Sequence, residues 1–239
     1  MRRRFFVEQF AGTTAVMEGD AAHHLGNVLR AQTGQVYELS DGSAAWLARI
    51  ESVGRNRVEF ALLERLPAPK PVADVALLLS IVKFDAFEWA IEKATELGVT
   101  RIIPVAAARS EKGLLAAAAK RSQRWKKILL EASQQSRRLR IPQLDEPATP
   151  TQAFANQASR FCFLLSERSD APGIRTSLGH VKSTAAALAI GPEGGWTDDE
   201  LMAARAAGFQ EASLGPLILR TETTVIAALA MLNFVLSPE

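Results

Sequence analysis

The sequence predicts an α/β protein: a small β-rich domain over residues 1–70, then a larger domain over 71–239 built on a parallel sheet. Three observations carry this. Short alternating or β-branched runs joined by tight turns fill the chain up to Leu66. Leu66-Pro67-Ala68-Pro69-Lys70-Pro71 then places three prolines within five residues, an extended and stiff linker. Beyond it, continuous apolar runs alternate with amphipathic stretches, as expected of strands buried on both faces and the helices that cover them.

Phe5-Phe6-Val7 is the first expected strand. Asp20–Arg30 has a polar start and apolar residues at Leu25, Val28 and Leu29, and reads as a short helix. Gln35–Leu39, Ala45–Ile50 and Arg57–Leu63 read as strands, with Ser40-Asp41-Gly42-Ser43 as a hairpin turn. Such close strands imply a meander or small barrel. In the second domain Val75–Val82 is a buried strand. Asp85 with Glu88 reads as a capping box opening a helix whose Phe84, Phe87, Ala90, Ile91, Ala94 and Leu97 share one face, and Gly98 stops it. Arg101–Val105 is the next strand. Ala116–Arg138 is a long helix with Trp125, Ile128, Leu129 and Ala132 inward and its basic residues outward, ended by Ile141-Pro142. Arg160–Leu165, Ala185–Ile190 and Glu211–Leu214 are strands. Asp198–Ala207 is a helix closed by Gly208. Thr221–Leu236 is a helix apolar nearly all round, which calls for burial in its own fold or against another subunit.

Composition narrows the function. The 239 residues are 48% hydrophobic and 23% charged, ordinary for a soluble globular protein. No apolar run reaches the ~18–20 residues of a membrane span. The basic start Met1-Arg2-Arg3-Arg4 has no long apolar stretch behind it, so no signal peptide is expected. Cys162 is the single cysteine; it excludes an internal disulfide framework, fits a reducing, cytoplasmic compartment, and reads as a core residue. With His23, His24 and His180 as the only histidines, a metal site is not expected. The net charge of +2 hides a segregation, since Arg109–Arg140 carries ten Lys/Arg against two Asp/Glu. That stretch is either a phosphate-binding surface or a solvated helix face.

A parallel sheet binds ligands at the carboxyl ends of its strands. Three loops qualify, after Leu165, after Ile190 and after Leu214. The second, Gly191-Pro192-Glu193-Gly194-Gly195, lets backbone approach a ligand closely, or is an ordinary turn into the next helix. The third, Leu214-Gly215-Pro216-Leu217-Ile218-Leu219-Arg220-Thr221-Glu222-Thr223, sets one arginine and one glutamate at the head of the apolar C-terminal helix. Arg220 and Glu222 are open to two readings, a structural salt bridge or a pair facing a ligand. Neither a dinucleotide fingerprint, a P-loop nor a nucleophile elbow is present.

These two loops resemble the paired motifs of the RsmE family, bacterial methyltransferases of the SPOUT superfamily that modify N3 of a uridine in 16S ribosomal RNA. Further matches run in order along the chain: Arg3/Arg4-Phe5-Phe6-Val7, His24-Leu25 with Val28-Leu29-Arg30, Asp41-Gly42, Lys93 with Glu96-Leu97-Gly98-Val99, Pro104, Arg109-Ser110, and Gln135-Ser136 with Arg138 and Ile141-Pro142. The chain departs at Gln134, where the family often has glutamate.

The resemblance implies a PUA-like RNA-holding barrel at the N-terminus and a C-terminal α/β domain with a deep trefoil knot. It implies S-adenosyl-L-methionine as cofactor, no metal, the small ribosomal subunit as partner, and a homodimer with its site near the subunit interface. Leu165, Ser166, Ile190, Gly191, Glu193, Gly194, Gly195, Leu214, Gly215, Ile218 and Leu219 would hold the cofactor. Arg220 would stabilise the uridine anion, and Glu222 would accept its proton or orient Arg220. Arg2, Arg3, Arg4, Arg30, Lys120, Arg121, Arg124, Arg137, Arg138 and Arg140 would hold RNA. Two rival readings stay open: a related knotted methyltransferase acting on transfer RNA or a ribose 2′-hydroxyl, and a non-catalytic RNA-binding assembly factor.

Overall fold

The computed structural model describes residues 3–67, 73–157, 160–179 and 185–236. Most of the proline linker, together with Arg2 and His180, lies outside them. The chain divides into two compact units, Met1–Lys70 with Ser133–Ile141, and Pro71–Ala132 with Pro142–Glu239.

The first unit is one six-stranded sheet. Its strands are β1 (Arg4–Phe6), β2 (Phe10–Ala11), β3 (Thr14–Glu18), β4 (Val36–Ser40), β5 (Ala45–Val53) and β6 (Arg57–Arg65), in the order β1-β4-β5-β6-β3-β2. β1 runs parallel to β4 and the other neighbours are antiparallel. β2 and β3 escape the sequence pattern because they are short and interrupted by the turn at Gly12. The expected helix over Asp20–Arg30 is instead α1 (Gly19–His23) running into a π-helical turn, His24–Val28. Phe5, Met17, Leu25, Leu39, Ile50, Val58 and Phe60 form the core. The hairpin turn is present. Asp41 accepts from the Ser43 and Ala44 amides at 2.8 Å. Burial acts to raise this carboxyl, but those bonds outweigh it and hold it below its usual 3.8.

Ser133–Ile141 is fastened onto this unit by polar contacts. Arg4 and Glu38 are each 8% exposed, and Arg4 Nε and Nη2 donate to Glu38 Oε2 at 3.2 and 3.0 Å. Arg4 Nη1 donates to the Arg137 carbonyl at 2.7 Å, and Ser40 Oγ to the Leu139 carbonyl at 2.8 Å.

The second unit carries an all-parallel sheet in the order β12-β10-β11-β7-β8-β9. The strands are β7 (Asp74–Ser80), β8 (Arg101–Val105), β9 (Gln143–Leu144), β10 (Phe161–Leu165), β11 (Ala185–Ile190) and β12 (Gln210–Ala212). Alternate residues of β7 enter different cores. Val75, Leu77 and Leu79 pack with α2 (Phe84–Glu96), α3 (Lys112–Gln135) and α7 (Thr221–Leu236), while Ala76 and Leu78 pack with α4 (Pro150–Ala155) and α6 (Asp198–Ala206). This two-sided burial is why the strands read as unbroken apolar runs. The short β9, α4 and α5 (Ile174–Leu178) were too brief to show a period.

Two helix ends differ from expectation. α2 begins at Phe84 with Lys83 as its cap, so Asp85 lies inside the first turn and no capping box forms with Glu88. Glu88 is instead buried and accepts from Arg124 at 2.6 Å and Arg121 at 3.4 Å on α3. α3 stops at Gln135, well before Pro142. Arg137 takes φ 55° and the Arg138 amide bonds back to the Ser133 carbonyl at 3.0 Å, a Schellman-type end with arginine where glycine is usual. The Arg137 side chain comes within 3.7 Å of Glu38. Charge pairing and the bond from Arg4 therefore oppose the ~1–2 kcal/mol cost of a left-handed non-glycine residue.

Candidate active site

The carboxyl ends of β10, β11 and β12 converge on a cleft of about 930 Å³ in the second unit. That volume lies within the range of small-molecule sites. All the residues expected to hold a cofactor line it: Leu165 and Ser166 from the first loop, Ile190, Gly191, Glu193, Gly194 and Gly195 from the second, and Leu214, Gly215, Ile218 and Leu219 from the third.

Glycine is required in the second loop. A β-carbon on Gly191 would lie 3.1 Å from Trp196 Nε1, and one on Gly194 3.3 Å from Arg109 Cβ. Gly195 has φ 69° and its amide closes a turn onto the Pro192 carbonyl at 2.8 Å. The loop is anchored at its far end by a capping box, in which Thr197 and Glu200 bond each other's backbone. Glu200 also accepts from the Ala108 amide at 2.8 Å. Trp196, 7% exposed, donates from Nε1 to the Leu165 carbonyl at 3.1 Å and so ties the second loop to the first. In Gly191→Ala the added methyl is expected to push Trp196 off this bond and destabilise the protein by about 1–3 kcal/mol, read by urea unfolding. Unchanged unfolding would show that the ring yields at no cost.

The third loop is held at its root. Ser213 exchanges backbone bonds with Pro172 and Ile174 at 2.8 Å each. Gly215 adopts φ 136°, and its amide bonds Ser213 Oγ at 3.2 Å. Beyond it Leu217 and Ile218 line the cleft yet stay 77% and 82% exposed.

Arg220 lines the cleft and is exposed. Its carbonyl accepts from the Thr224 amide and hydroxyl at 2.9 and 3.0 Å. Glu222 is half-buried in the first turn of α7 and does not line the cleft. No ion pair joins the two among the described residues, so the structural salt-bridge reading does not hold. Two other carboxylates, Glu167 and Glu193, line the cleft.

Sequence reasoning missed three side chains here. Arg109, from the loop after β8, donates through Nη1 to the Gly194 carbonyl at 2.7 Å and the Trp196 carbonyl at 3.2 Å. Arg168 meets Asp170 at 3.2 Å and Asp198 at 3.1 Å, and holds the Asp170 carboxyl below its usual 3.8. Trp196 is the third. The signals were the Arg109-Ser110 match to the family, a cation at a strand's carboxyl end and an aromatic just after a glycine pair.

The cations expected to hold RNA differ in their surroundings. Arg3, Arg30, Lys120, Arg124, Arg137 and Arg140 are exposed. Arg4 is buried in its pair with Glu38, which corrects its place in that set. Arg121 stacks its guanidinium 4.6 Å from the Phe84 ring and also pairs with Glu88. Burial pushes Arg138 down to about 10. Arg2 is outside the described residues.

The cleft fits a zwitterionic sulfonium cofactor. It offers strand-end backbone groups and apolar side chains for a flat base, with two carboxylates at its wall for positive charge.

Sequence comparison matches residues 68–233 to an RNA methyltransferase domain and residues 18–63 to an RNA methyltransferase PUA domain. Ribosomal RNA small subunit methyltransferase E of Synechocystis is 33% identical over 96% of this chain and 76% of its own length. The Mycobacterium bovis protein of that name is 31% identical over 98% of this chain and 92% of its own length. Among solved structures, a ribosomal RNA small subunit methyltransferase E from Neisseria gonorrhoeae, bound to S-adenosyl methionine, superposes with a TM-score of 0.87 at 31% identity and 98% coverage of both chains.

Proposed function

We propose a function from one premise: the chain belongs to the ribosomal RNA small subunit methyltransferase E family of RNA methyltransferases. It uses S-adenosyl-L-methionine to methylate N3 of a specific uridine in 16S ribosomal RNA. The observation that carries this reading is the cleft at the carboxyl ends of β10, β11 and β12, walled by two glycine loops and lined by Arg220, which has no ion-pair partner among the described residues.

The cofactor, when bound, supplies an electrophilic methyl group. The chain's own residues must do the rest. Backbone of the loops after β10, β11 and β12 holds the nucleoside part, and the glycines admit it. Uridine N3 is a poor nucleophile until its proton leaves, so the site stabilises the resulting anion. Arg220 meets the charge that spreads onto the base carbonyls. Glu222, two residues on and outside the cleft lining, either accepts the proton or orients Arg220. The target base is unstacked to reach the cleft.

RNA is held by the exposed cations Lys120, Arg124, Arg137 and Arg140, together with Arg3 and Arg30, through phosphate contacts. The protein works as a homodimer whose C-terminal domains are knotted, in the cytoplasm. Support for a second copy lies on α7. Its inner residues Val225, Ala228, Leu229 and Leu232 are buried, while Phe234 is 88% exposed and Met231 and Val235 are about 40% exposed on the described surface. No helix among the described residues is long and apolar enough to cross a membrane.

The test is transfer of labelled methyl from S-adenosyl-L-methionine to small ribosomal subunits that lack the modification, with the product nucleoside identified. The expected product is 3-methyluridine. A 2′-O-methylated nucleoside or labelled transfer RNA would move the chain to the rival knotted methyltransferases. No label on any RNA would overturn the enzymatic reading.

A further inference from the structure

We infer that Arg109, which itself lines the cleft, is a positioning residue for the cofactor loop, set from a fourth strand-end loop beside the other three. Arg109 follows the carboxyl end of β8, four residues beyond Val105. Its Nη1 donates to two carbonyls of one short stretch, Gly194 at 2.7 Å and Trp196 at 3.2 Å. Its aliphatic stem lies along Gly194, where a β-carbon would come within 3.3–3.4 Å of Cβ and Cδ. The stem thus fills the space a side chain at position 194 would need, while the head caps the loop's carbonyls. Trp196 carries the restraint on, through its bond to the Leu165 carbonyl at 3.1 Å. One side chain therefore sets where the second loop stands against the first.

Charge adds a second role. Two backbone carbonyls share one guanidinium, and a charged donor makes these bonds about twice as strong as neutral ones. A loop held before the ligand arrives loses less freedom on binding. Arg109 is thus expected to act chiefly on affinity.

This inference rests on the reading that the cleft takes S-adenosyl-L-methionine. Arg109→Met keeps most of the stem and removes the donors. Titration of full-length protein with S-adenosyl-L-methionine is expected to show affinity about ten- to a hundredfold weaker, as loss of charged hydrogen bonds allows. In turnover the KM for S-adenosyl-L-methionine should change by a larger factor than kcat, the split expected of a group that places the loop. Arg109→Lys, with a single donor centre, should recover part of the affinity. Amide exchange gives a readout that needs no cofactor: peptides covering Glu193–Thr197 should exchange faster in Arg109→Met, with the melting temperature near that of the parent.

Unchanged exchange and unchanged affinity would overturn the inference. So would a fall in kcat at unchanged affinity, which would place Arg109 with the reacting groups or the RNA. If the parent protein itself binds no S-adenosyl-L-methionine, the cofactor reading fails, and exchange in the free protein still decides whether Arg109 holds the loop.

Discussion

Arg220→Ala is expected to lower kcat by about 10²–10³-fold, roughly 3–4 kcal/mol, while affinity for S-adenosyl-L-methionine stays within about threefold. The reason is where the side chain stands. Arg220 lines the cleft, is exposed and has no ion-pair partner among the described residues, so its charge is free to meet charge that appears only during reaction. A donor used only in the transition state affects kcat and kcat/KM alike. Arg220→Lys keeps the charge but not the planar fork and should fall between parent and alanine. Glu222→Gln gives the matching test of the proton acceptor, with a loss of about 10²–10⁴-fold and a flattened pH–rate profile. Full activity in Glu222→Gln would reassign the base, and Glu193 and Glu167 at the cleft wall would be the next carboxylates to replace. Normal turnover of Arg220→Ala would remove the electrostatic role altogether.

The second large effect is on stability. Glu38→Ala is expected to destabilise the protein by about 3–5 kcal/mol, because it leaves a buried guanidinium unpaired. Arg4 is 8% exposed and bonds Glu38 through two nitrogens, and Arg137 approaches the same carboxylate at 3.7 Å. Removing this carboxylate therefore leaves the buried Arg4 guanidinium without its counter-charge. The joint replacement Arg4→Met with Glu38→Leu should be far milder, since no charge is then left in the interior. Equal losses in the single and double variants, measured by denaturant unfolding, would show that shape rather than charge sets the cost.

Local rules found what local chemistry dictates. Gly191, Gly194, Gly195 and Gly215 were legible as ligand-loop residues because a missing side chain is itself a signal, and all four line the cleft. β7, β10 and β11 were legible because both faces are buried and their runs are unbroken. Contacts made across long stretches of chain were not legible. Asp85 and Glu88 have the spacing of a capping box, but Arg121 and Arg124 claim Glu88 from another helix. Thr197 and Glu200 have the same spacing and do form one, at the end of the cofactor loop. Arg109 and Trp196 carry no local mark of their roles, because the carbonyls they bond belong to Gly194, Trp196 and Leu165, brought near only by the sheet order. Arg4 read as one of a run of surface cations because nothing nearby in sequence shows its partner Glu38.

The fastening of Ser133–Ile141 to the first unit bears on the order in which the protein can mature. Domains generally fold as units during synthesis, the N-terminal one first. Here the first-made domain cannot finish when its own residues 1–70 have been made. The carbonyls that Arg4 and Ser40 bond belong to Arg137 and Leu139, which leave the ribosome only after residues 71–132 have been made. Until then the sheet carries an arginine and a serine without those partners. The N-terminal domain is complete only once Ile141 has been made, and a fragment cut at residue 70 would lack the Arg137 and Leu139 carbonyls for good.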